Sequence, residues 1–213
     1  MLLGMAKRFD KKLIIFTVLI FLISTLLRIF FLKDFGFFNN DDIVYFKLAE
    51  NLFSRNGFIF DMGELVPHMK NIHKGNHIHF PPGYPIIIGI ESLIFKTPNA
   101  IKVFEWIFLG TINSILLLKL SWFIVPKRKF IAVLLTFLTP VFVYGVGTIS
   151  IGSENWFLTT SLIGLILCIK YSRNNKLIFL ILSNTFFSIT YLIRPEGILF
   201  YSSSLMASFF HLN

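Results

Sequence analysis

Residues 13–32 read LIIFTVLIFLISTLLRIFFL, a mostly apolar run in which Arg28 is the one charged residue. A helix of about 20 apolar residues crosses a bilayer core about 30 Å thick. Basic residues precede the run, and Lys33 and Asp34 follow it where a signal peptide has small residues. The run is also longer than the apolar part of a typical signal peptide. It predicts an uncleaved first membrane span with the N-terminus in the cytoplasm.

The composition of the whole chain agrees with a membrane protein. Of its 213 residues, 55% are hydrophobic and 15% are charged, against about 25% charged in an average soluble domain. This excludes an ordinary water-soluble enzyme and a disordered chain. The net charge of +9 comes mostly from short basic segments between apolar runs, which are typical of topology signals rather than of nucleic-acid binding. Cys168 is the one cysteine, so there is no internal disulfide.

Further apolar runs predict further spans, which are residues 103–125, 130–149, 156–169, 177–193, and a sixth from about Gly197 to the end. A shorter run, residues 84–95, carries Glu91 and is too short to cross easily. If it stays outside, the basic segments 127–129 and 170–176 both face the cytoplasm, as positive charge in short loops usually does. We therefore assign residues 84–95 to a helix in the outer membrane interface.

The predicted fold is an all-α integral membrane bundle of about six transmembrane helices. Residues 1–32 form the basic N-terminus and first span. Residues 33–102 form an extracytoplasmic loop with two interfacial helices. Residues 103–213 form spans two to six, of which the last ends with the chain and is expected to be truncated. Asn113, inside the second span, is expected to hydrogen-bond to another helix.

An acidic pair, Asp41 and Asp42, stands at the start of the first interfacial helix. Apolar residues recur from Tyr45 to Phe53 at spacings of three and four, and Gly57 ends the pattern. This predicts an amphipathic helix of about 13 residues on the membrane surface. The acidic residues either cap the helix N-terminus or supply a carboxylate that acts as a base.

Histidines and prolines follow in the same loop. His68, His73, His77 and His79 fit no standard zinc spacing, and a basic surface that meets an anionic group is favoured over a metal site. Next comes FPPGYP at residues 80–85. It predicts a rigid turn into a helix, which is either a simple helix entrance or a shelf that brings His79 and Tyr84 to a site.

Charged residues also stand at the outer ends of later spans. Glu154 precedes the fourth span, where it either caps that helix or joins a shared polar cavity. Arg194 ends the fifth span, and its outer position is an exception to the usual charge distribution. An anionic ligand such as a lipid phosphate would explain it, as would an internal pair with Glu196 or with the acidic pair.

Taken together, these motifs resemble the GT-C glycosyltransferases that use polyprenyl-phosphate sugars. The type is that of protein mannosyltransferases and aminoarabinose transferases, family 39 and its relatives. The matching motifs are Asp41-Asp42-x-x-Tyr45-x-x-x-Ala49-x-Asn51-Leu52, His79-Phe80-Pro81-Pro82-Gly83-Tyr84-Pro85, Ser153-Glu154 and Arg194-Pro195-Glu196-Gly197. The resemblance runs from about Leu13 to the end and covers the N-terminal part of such enzymes.

The resemblance implies transfer of a sugar, with inversion, from a dolichyl- or undecaprenyl-phosphate carrier to an acceptor hydroxyl outside the cytoplasm. The acceptor would be a lipid, a glycan or a protein, and the site would lie at the cell membrane. Asp41 matches the acidic residue proposed as general base, and Asp42 takes the neighbouring acidic position. The substrate-binding residues would be Glu154, Arg194, Glu196, His79 and Tyr84. No cofactor is implied beyond a divalent cation, for which Glu154 is the candidate.

Two other functions remain open from the residues alone. A transporter would carry ionisable groups near the middle of its spans, whereas here the carboxylates stand mainly at outer ends and in one loop. A non-catalytic fragment or subunit would keep the N-terminal module of the fold without its activity.

Overall fold

The computed structural model describes residues 11–31, 40–61, 74–76, 81–124 and 153–203, and these residues are mostly helical. The prediction of an all-α chain is confirmed at this level, apart from two short strands. The third predicted span, residues 130–149, and the basic segment 127–129 lie outside the described residues.

Helix α1 spans Lys11–Phe31 and matches the first predicted span. One of its faces exposes apolar side chains, among them Val18, Leu22 and Leu26, which follow one another at four-residue spacing. Arg28 near its end is instead buried, with its guanidinium 5.2 Å from the centre of the Trp106 ring. Nη1 of Arg28 donates to the Trp106 carbonyl at 3.2 Å, and the Trp106 indole donates to the Arg28 carbonyl at 2.9 Å. The charge that interrupts the first run thus packs against a later helix.

Helix α2 spans Asn40–Phe53 and is the predicted amphipathic helix. It buries Val44, Leu48 and Ala49. The helix ends at Phe53, and the left-handed conformation directly after it is taken by Arg55 at φ 64°, while Gly57, expected to end the helix, follows at φ 84°.

A small antiparallel hairpin follows α2 and was not predicted. Strand β1, Ile59–Asp61, pairs with β2, Lys74–Asn76, and Phe60 lies opposite Gly75. The Asn51 side-chain amide of α2 donates to the Ile59 carbonyl at 2.6 Å. This bond ties the hairpin to the helix before it.

Helix α3 spans Gly83–Ser92 and helix α4 spans Pro98–Ile124. A helix is present where one was expected at residues 84–95, but it ends at Ser92, and its place in the membrane interface stays a prediction. Helix α4 begins before residue 103, the expected start of the second span, because Thr97 caps it and Pro98 stands at its first position, a favoured place for proline. Within α4, residues Phe104–Leu109 are wound as a π-helix.

Helices α5, Glu154–Asn174, and α6, Leu177–Ile193, form a hairpin. The bounds of α6 are those predicted, while α5 extends beyond residues 156–169 at both ends. Asn175 at φ 52° makes the turn between them. A short 3₁₀ turn, Pro195–Gly197, follows α6, and residues 198–203 are again helical, where the sixth span was expected to begin.

Small and hydroxyl-bearing residues join α5 to α6. The Ser183 hydroxyl donates to the Gly164 carbonyl at 2.9 Å, and Thr190 and Thr160 bond through their hydroxyls at 2.8 Å. A Cβ at Gly164 would lie 2.6 Å from the Phe187 ring, so the two helices meet closely at this glycine. Interfaces of this kind let helix backbones approach each other.

Polar groups also link α4 to α5. The Asn113 side-chain amide donates to the Asn155 carbonyl at 3.0 Å and accepts from the Thr159 hydroxyl at 2.7 Å. The expectation that Asn113 bonds to another helix is confirmed.

Of the helices in the described ranges, α4 is the one long and apolar enough to cross a membrane by its length and composition, and α6 is a shorter apolar helix. A bundle of about six spans, and its orientation, stays a prediction.

Candidate functional site

The candidate site lies where α2, α3, the start of α4 and the end of α6 meet. Their common core buries Ala49, Tyr84, Ile88, Ile101 and Ile193. Trp156 and Phe157 from the start of α5 pack against this core. The end of α6 and the start of α5 are therefore held beside the two helices of the first loop.

Arg194 stands directly after Ile193, in extended backbone that ends α6. Its Nη1 donates to Oε1 of Glu154 at 2.6 Å, and its Nη2 donates to Oε1 of Glu196 at 3.2 Å. We call Arg194, Glu154 and Glu196 the arginine cluster. The cluster brings together residues that are up to 42 positions apart in sequence, from the first turn of α5 and from the turn after α6.

The electrostatics of the arginine cluster keep its arginine charged. Partial burial opposes the charge, but the two carboxylates outweigh it and raise the pKa of Arg194. For Glu196, a hydrogen bond from its own backbone N–H and the Arg194 guanidinium lower the pKa of the carboxyl. Arg194 and Glu196 are therefore both ionised near neutral pH.

The arginine cluster is open to solvent on one side. The side chain of Arg194 is 31% exposed and that of Glu196 is 57% exposed. Bonds to described residues use three of the five guanidinium N–H groups. The guanidinium carbon also lies 5.8 Å from the centre of the Phe157 ring, which limits its rotation. This arrangement suits an anion that reaches Arg194 from the open side.

Comparison with protein-family models, with curated proteins and with solved structures found no match. The resemblance to GT-C enzymes therefore rests on the motifs in this sequence and stays a proposal.

Three of the sequence-predicted substrate-binding residues come together, and they are those of the arginine cluster. The internal pair of Arg194 with Glu196, one of the alternatives considered from sequence, is present. Glu154 is the first residue of α5, and its carboxylate meets Arg194. Its other oxygen, Oε2, is buried and has no hydrogen-bond partner among the described residues.

Tyr84 packs in the same core as Ile193, the residue before Arg194, and is turned away from solvent. It is 2% exposed, and its hydroxyl donates to Oε2 of Glu105 at 2.8 Å. The Tyr45 ring of α2 meets it edge to face, with ring centres 4.8 Å apart. Tyr84 thus joins α2, α3 and α4.

The acidic pair begins α2, with Asp41 one helical turn before Tyr45. This places the start of α2 near the contact between Tyr45 and Tyr84. The side chains of Asp41 and Asp42 lie outside the part of the chain that the structure describes, as does His79 together with the other three loop histidines. Their roles stay predictions.

The described ranges contain no group of three or more His, Cys, Asp or Glu side chains that would hold a metal ion. A divalent cation at Glu154 stays a prediction.

Sequence reasoning missed a pair of buried carboxyls, Glu91 of α3 and Glu105 of α4. Glu91 is 5% exposed and Glu105 is fully buried. Both interrupt apolar runs of the sequence, and that is the signal that marks them, because an ionisable residue in an apolar helix usually has a partner. Trp156 donates to Glu91 and Tyr84 donates to Glu105, and these partners could not be read from the sequence, since they depend on how the helices pack.

A cavity of about 460 Å³ lies between α2 and α3. Phe46, Phe53 and Ile88 are among its mostly apolar lining residues, and none of the arginine cluster is. It is not assigned to the reaction.

Proposed function

We propose that this chain is a multi-pass membrane glycosyltransferase of the GT-C type. It would move a sugar from a polyprenyl-phosphate carrier to an acceptor hydroxyl on the extracytoplasmic side, with inversion. The observation that carries the proposal is the arginine cluster beside α2 and α3. A partly exposed guanidinium is fixed at the end of an apolar helix, directly after Ile193, which shares a buried core with Ala49 of the helix that begins with the acidic pair.

The proposed chemistry needs two groups on opposite sides of the sugar. An inverting displacement uses one base to take the proton of the attacking hydroxyl, and Asp41 is the candidate for this role. The leaving group is a lipid phosphate whose charge a guanidinium stabilises through charge-assisted hydrogen bonds. Arg194 is the candidate for that role, with its open side toward the phosphate.

Glu154 and Glu196 would position Arg194. Their carboxylates hold Nη1 and Nη2 from two directions, so the guanidinium has one orientation before the substrate arrives. A phosphate would compete with the more exposed of the two, Glu196. Tyr84 would act indirectly, because its hydrogen bond to Glu105 keeps α3 against α4.

A bundle that spans the membrane several times would hold the polyprenyl tail beside this site. Support for the bundle comes from apolar side chains that face outward on several helices. In α6 these include Leu177, Ile181 and Leu192, and in α1 they include Ile15 and Leu26. Exposed apolar area on this scale is costly in water and favourable in lipid.

Transfer from a radiolabelled polyprenyl-phosphate sugar by the purified full chain tests the proposal, with Asp41→Asn as the variant. Loss of a general base typically slows a reaction about 10²- to 10⁴-fold, so Asp41→Asn is expected to be nearly inactive. Glu50→Gln is the matched control, because Glu50 lies further along the same helix and is exposed. Equal transfer by the wild type and Asp41→Asn would remove Asp41 as the base.

A second candidate is a non-catalytic module of the same fold. The observation in its favour is that Arg194 is already paired with both Glu154 and Glu196, as in a purely structural link between α5 and α6. The same experiment separates the two candidates. No transfer by a correctly folded wild type, with any of several carriers, supports the non-catalytic module.

A further inference from the structure

Basic side chains gather where α4 and α5 end, away from the arginine cluster. Arg173, in the last turn of α5, donates from Nη2 to the Phe123 carbonyl at 2.9 Å, and its guanidinium carbon lies 4.8 Å from the centre of the Phe123 ring. Lys119 is exposed one turn before Phe123 on α4, on the same side of that helix. Arg173 thus holds the two helix ends together, with Lys119 beside the contact.

Two more lysines continue this patch to the start of α6. The Lys170 ammonium lies 5.5 Å from the centre of the Phe179 ring, in the first turn of α6. Lys176 is exposed and directly precedes α6. We call the three lysines, Lys119, Lys170 and Lys176, the basic end. Arg173 adds a fourth positive charge to it.

Helix α1 starts at the same level of the bundle. The Thr25 and Thr111 hydroxyls lie 3.2 Å apart, and Arg28 donates to the Trp106 carbonyl, so α1 and α4 run antiparallel. The start of α1 is about as far from Thr25 as the end of α4 is from Thr111. The sequence of residues 7–12, at and before this start, contains four basic residues and one acidic residue, so it does not offset the basic end.

The acidic residue of α5 is too far away to neutralise the basic end. Glu154 is the one Asp or Glu between residues 106 and 195, and it begins α5, whereas Arg173 lies in the last turn. A helix rises about 1.5 Å per residue, so about 28 Å separate the two residues along α5. Salt screens exposed charges beyond about 8–10 Å.

The helix ends themselves require little of this positive charge. A helix C-terminus carries about half a negative charge, and an N-terminus carries about half a positive charge. The ends of α4 and α5 and the starts of α1 and α6 therefore nearly cancel one another. The positive charge of the basic end is thus available to an anionic partner.

Exposed apolar side chains adjoin the basic end. Ile124 ends α4, and Leu177 and Ile178 begin α6 directly after Lys176; each of the three is more than half exposed. A soluble phosphate has no apolar part to place against such side chains. A phospholipid carries acyl chains directly next to its charged headgroup, so the combination favours a lipid.

We infer that the basic end binds the headgroup of an anionic phospholipid, with the acyl chains against Ile124 and the start of α6. The lysines supply positive charges on flexible stems, and Arg173 keeps the helix ends that carry them together. The lipid would lie in the leaflet opposite the arginine cluster. The inference rests on the membrane bundle of the proposed function and does not depend on sugar transfer.

Thermal unfolding of the purified full chain in an uncharged detergent, titrated with dioleoyl-phosphatidylglycerol, measures this binding. We expect the lipid to raise the unfolding temperature in a saturable way. Dioleoyl-phosphatidylcholine has the same chains and phosphate but no net charge, and glycerol 1-phosphate has the charge but no chains. Neither is expected to stabilise the chain, because the site needs both parts.

Lysine variants locate the site. A basic side chain near an anionic lipid surface strengthens binding about fivefold. Lys176→Gln should therefore raise the half-saturating concentration of phosphatidylglycerol about fivefold, and Lys176→Gln combined with Lys119→Gln about 25-fold. Lys96→Gln is the matched control, because Lys96 is an exposed lysine before the other end of α4, and it should keep the wild-type value.

Several outcomes would overturn the inference. Equal stabilisation by phosphatidylcholine would remove the role of charge, and equal stabilisation by glycerol 1-phosphate would indicate a site for a soluble anion instead. An effect of Lys96→Gln as large as that of Lys176→Gln would place the lipid elsewhere. Should the variants fail to fold, the wild type in 1 M salt provides the test, since the screening length is then about 3 Å. Undiminished stabilisation by phosphatidylglycerol at that salt concentration would contradict binding through the lysines.

The same purified chain separates this inference from the proposed enzyme. Sugar transfer without an effect of phosphatidylglycerol would overturn the lipid site alone. Stabilisation by phosphatidylglycerol without transfer from any carrier would overturn the transferase alone. A chain that stays monomeric in water without detergent would overturn the membrane bundle, and with it both proposals.

Discussion

At the residue scale, Arg194 shows how a charge that breaks a general rule is accommodated. Its place at an expected outer end is unusual for a membrane protein. The structure supplies two carboxylates for it, Glu154 from α5 and Glu196 from the next turn. A planar guanidinium offers each carboxylate a separate nitrogen in a fixed geometry, whereas lysine has a single nitrogen on a flexible stem.

Arg194→Lys is therefore expected to affect transfer much more than stability. The cluster is partly exposed, and removal of such an ion pair costs up to about 1 kcal/mol. Loss of the forked donor toward a phosphate is expected to slow transfer about 10²-fold. Arg173→Lys is the matched control. Arg173 lies in the last turn of α5, at the end opposite Glu154, and donates to the Phe123 carbonyl at 2.9 Å. Steady-state transfer rates and thermal unfolding of both variants provide the measurement, and equal rates for the two would remove Arg194 from the reaction.

The contacts of a single residue could be predicted from the sequence only where the sequence implied a partner for it. Asn113 was expected to bond across a helix interface because an amide inside a span needs a partner, and it does. The bond between Tyr84 and Glu105 was not expected, since the spacing of 21 residues identifies no partner. Tyr84 was assigned to a substrate site from its motif, and its hydroxyl lies in the core.

At the element scale, hydrophobic periodicity predicted most helices and missed local irregularities. Apolar runs, with the glycine and proline signals around them, predict the presence of α1, α2, α3 and α5. They also predict the bounds of α6. The π-helical segment of α4 gave no sequence signal. It lies where the Arg28 guanidinium packs against Gly110 and Trp106, and that contact comes from α1, far away in sequence.

The close approach of α3 to α6 leads to a test at this scale. A Cβ at Gly83 would lie 2.5 Å from the Leu192 carbonyl oxygen, which belongs to backbone that cannot move aside easily. Gly83→Ala is expected to destabilise the chain by about 1–3 kcal/mol. Ile86→Ala on the same helix removes a side chain that is 40% exposed, and it should cost less. Chemical unfolding in detergent compares the two, and the reverse order would contradict the packing of α3 on α6.

At the scale of the whole molecule, the sequence predicted helices and could not establish how they sit in a membrane. Composition and run lengths are enough to predict a helical chain. The number of spans and their orientation depend on loops as well as helices, and the segment with the strongest topology signal, residues 127–129, is outside the described residues.

Cysteine tagging tests the predicted orientation. In a Cys168→Ser background, Lys74→Cys should react with a membrane-impermeant maleimide on intact cells, because residue 74 belongs to the expected outer loop. Arg128→Cys should react only after permeabilisation, because residue 128 belongs to an expected inner loop. Labelling of position 128 on intact cells would overturn the orientation.

The hydroxyl contacts between α5 and α6 have a consequence for biogenesis. Ser183, Thr160 and Thr190 give this hairpin internal hydrogen bonds, and such bonds persist where no water competes for them. The two helices are therefore expected to enter the bilayer together as a preassembled unit rather than one after the other. Arg194, at the open end of that hairpin, would then arrive already paired with Glu154.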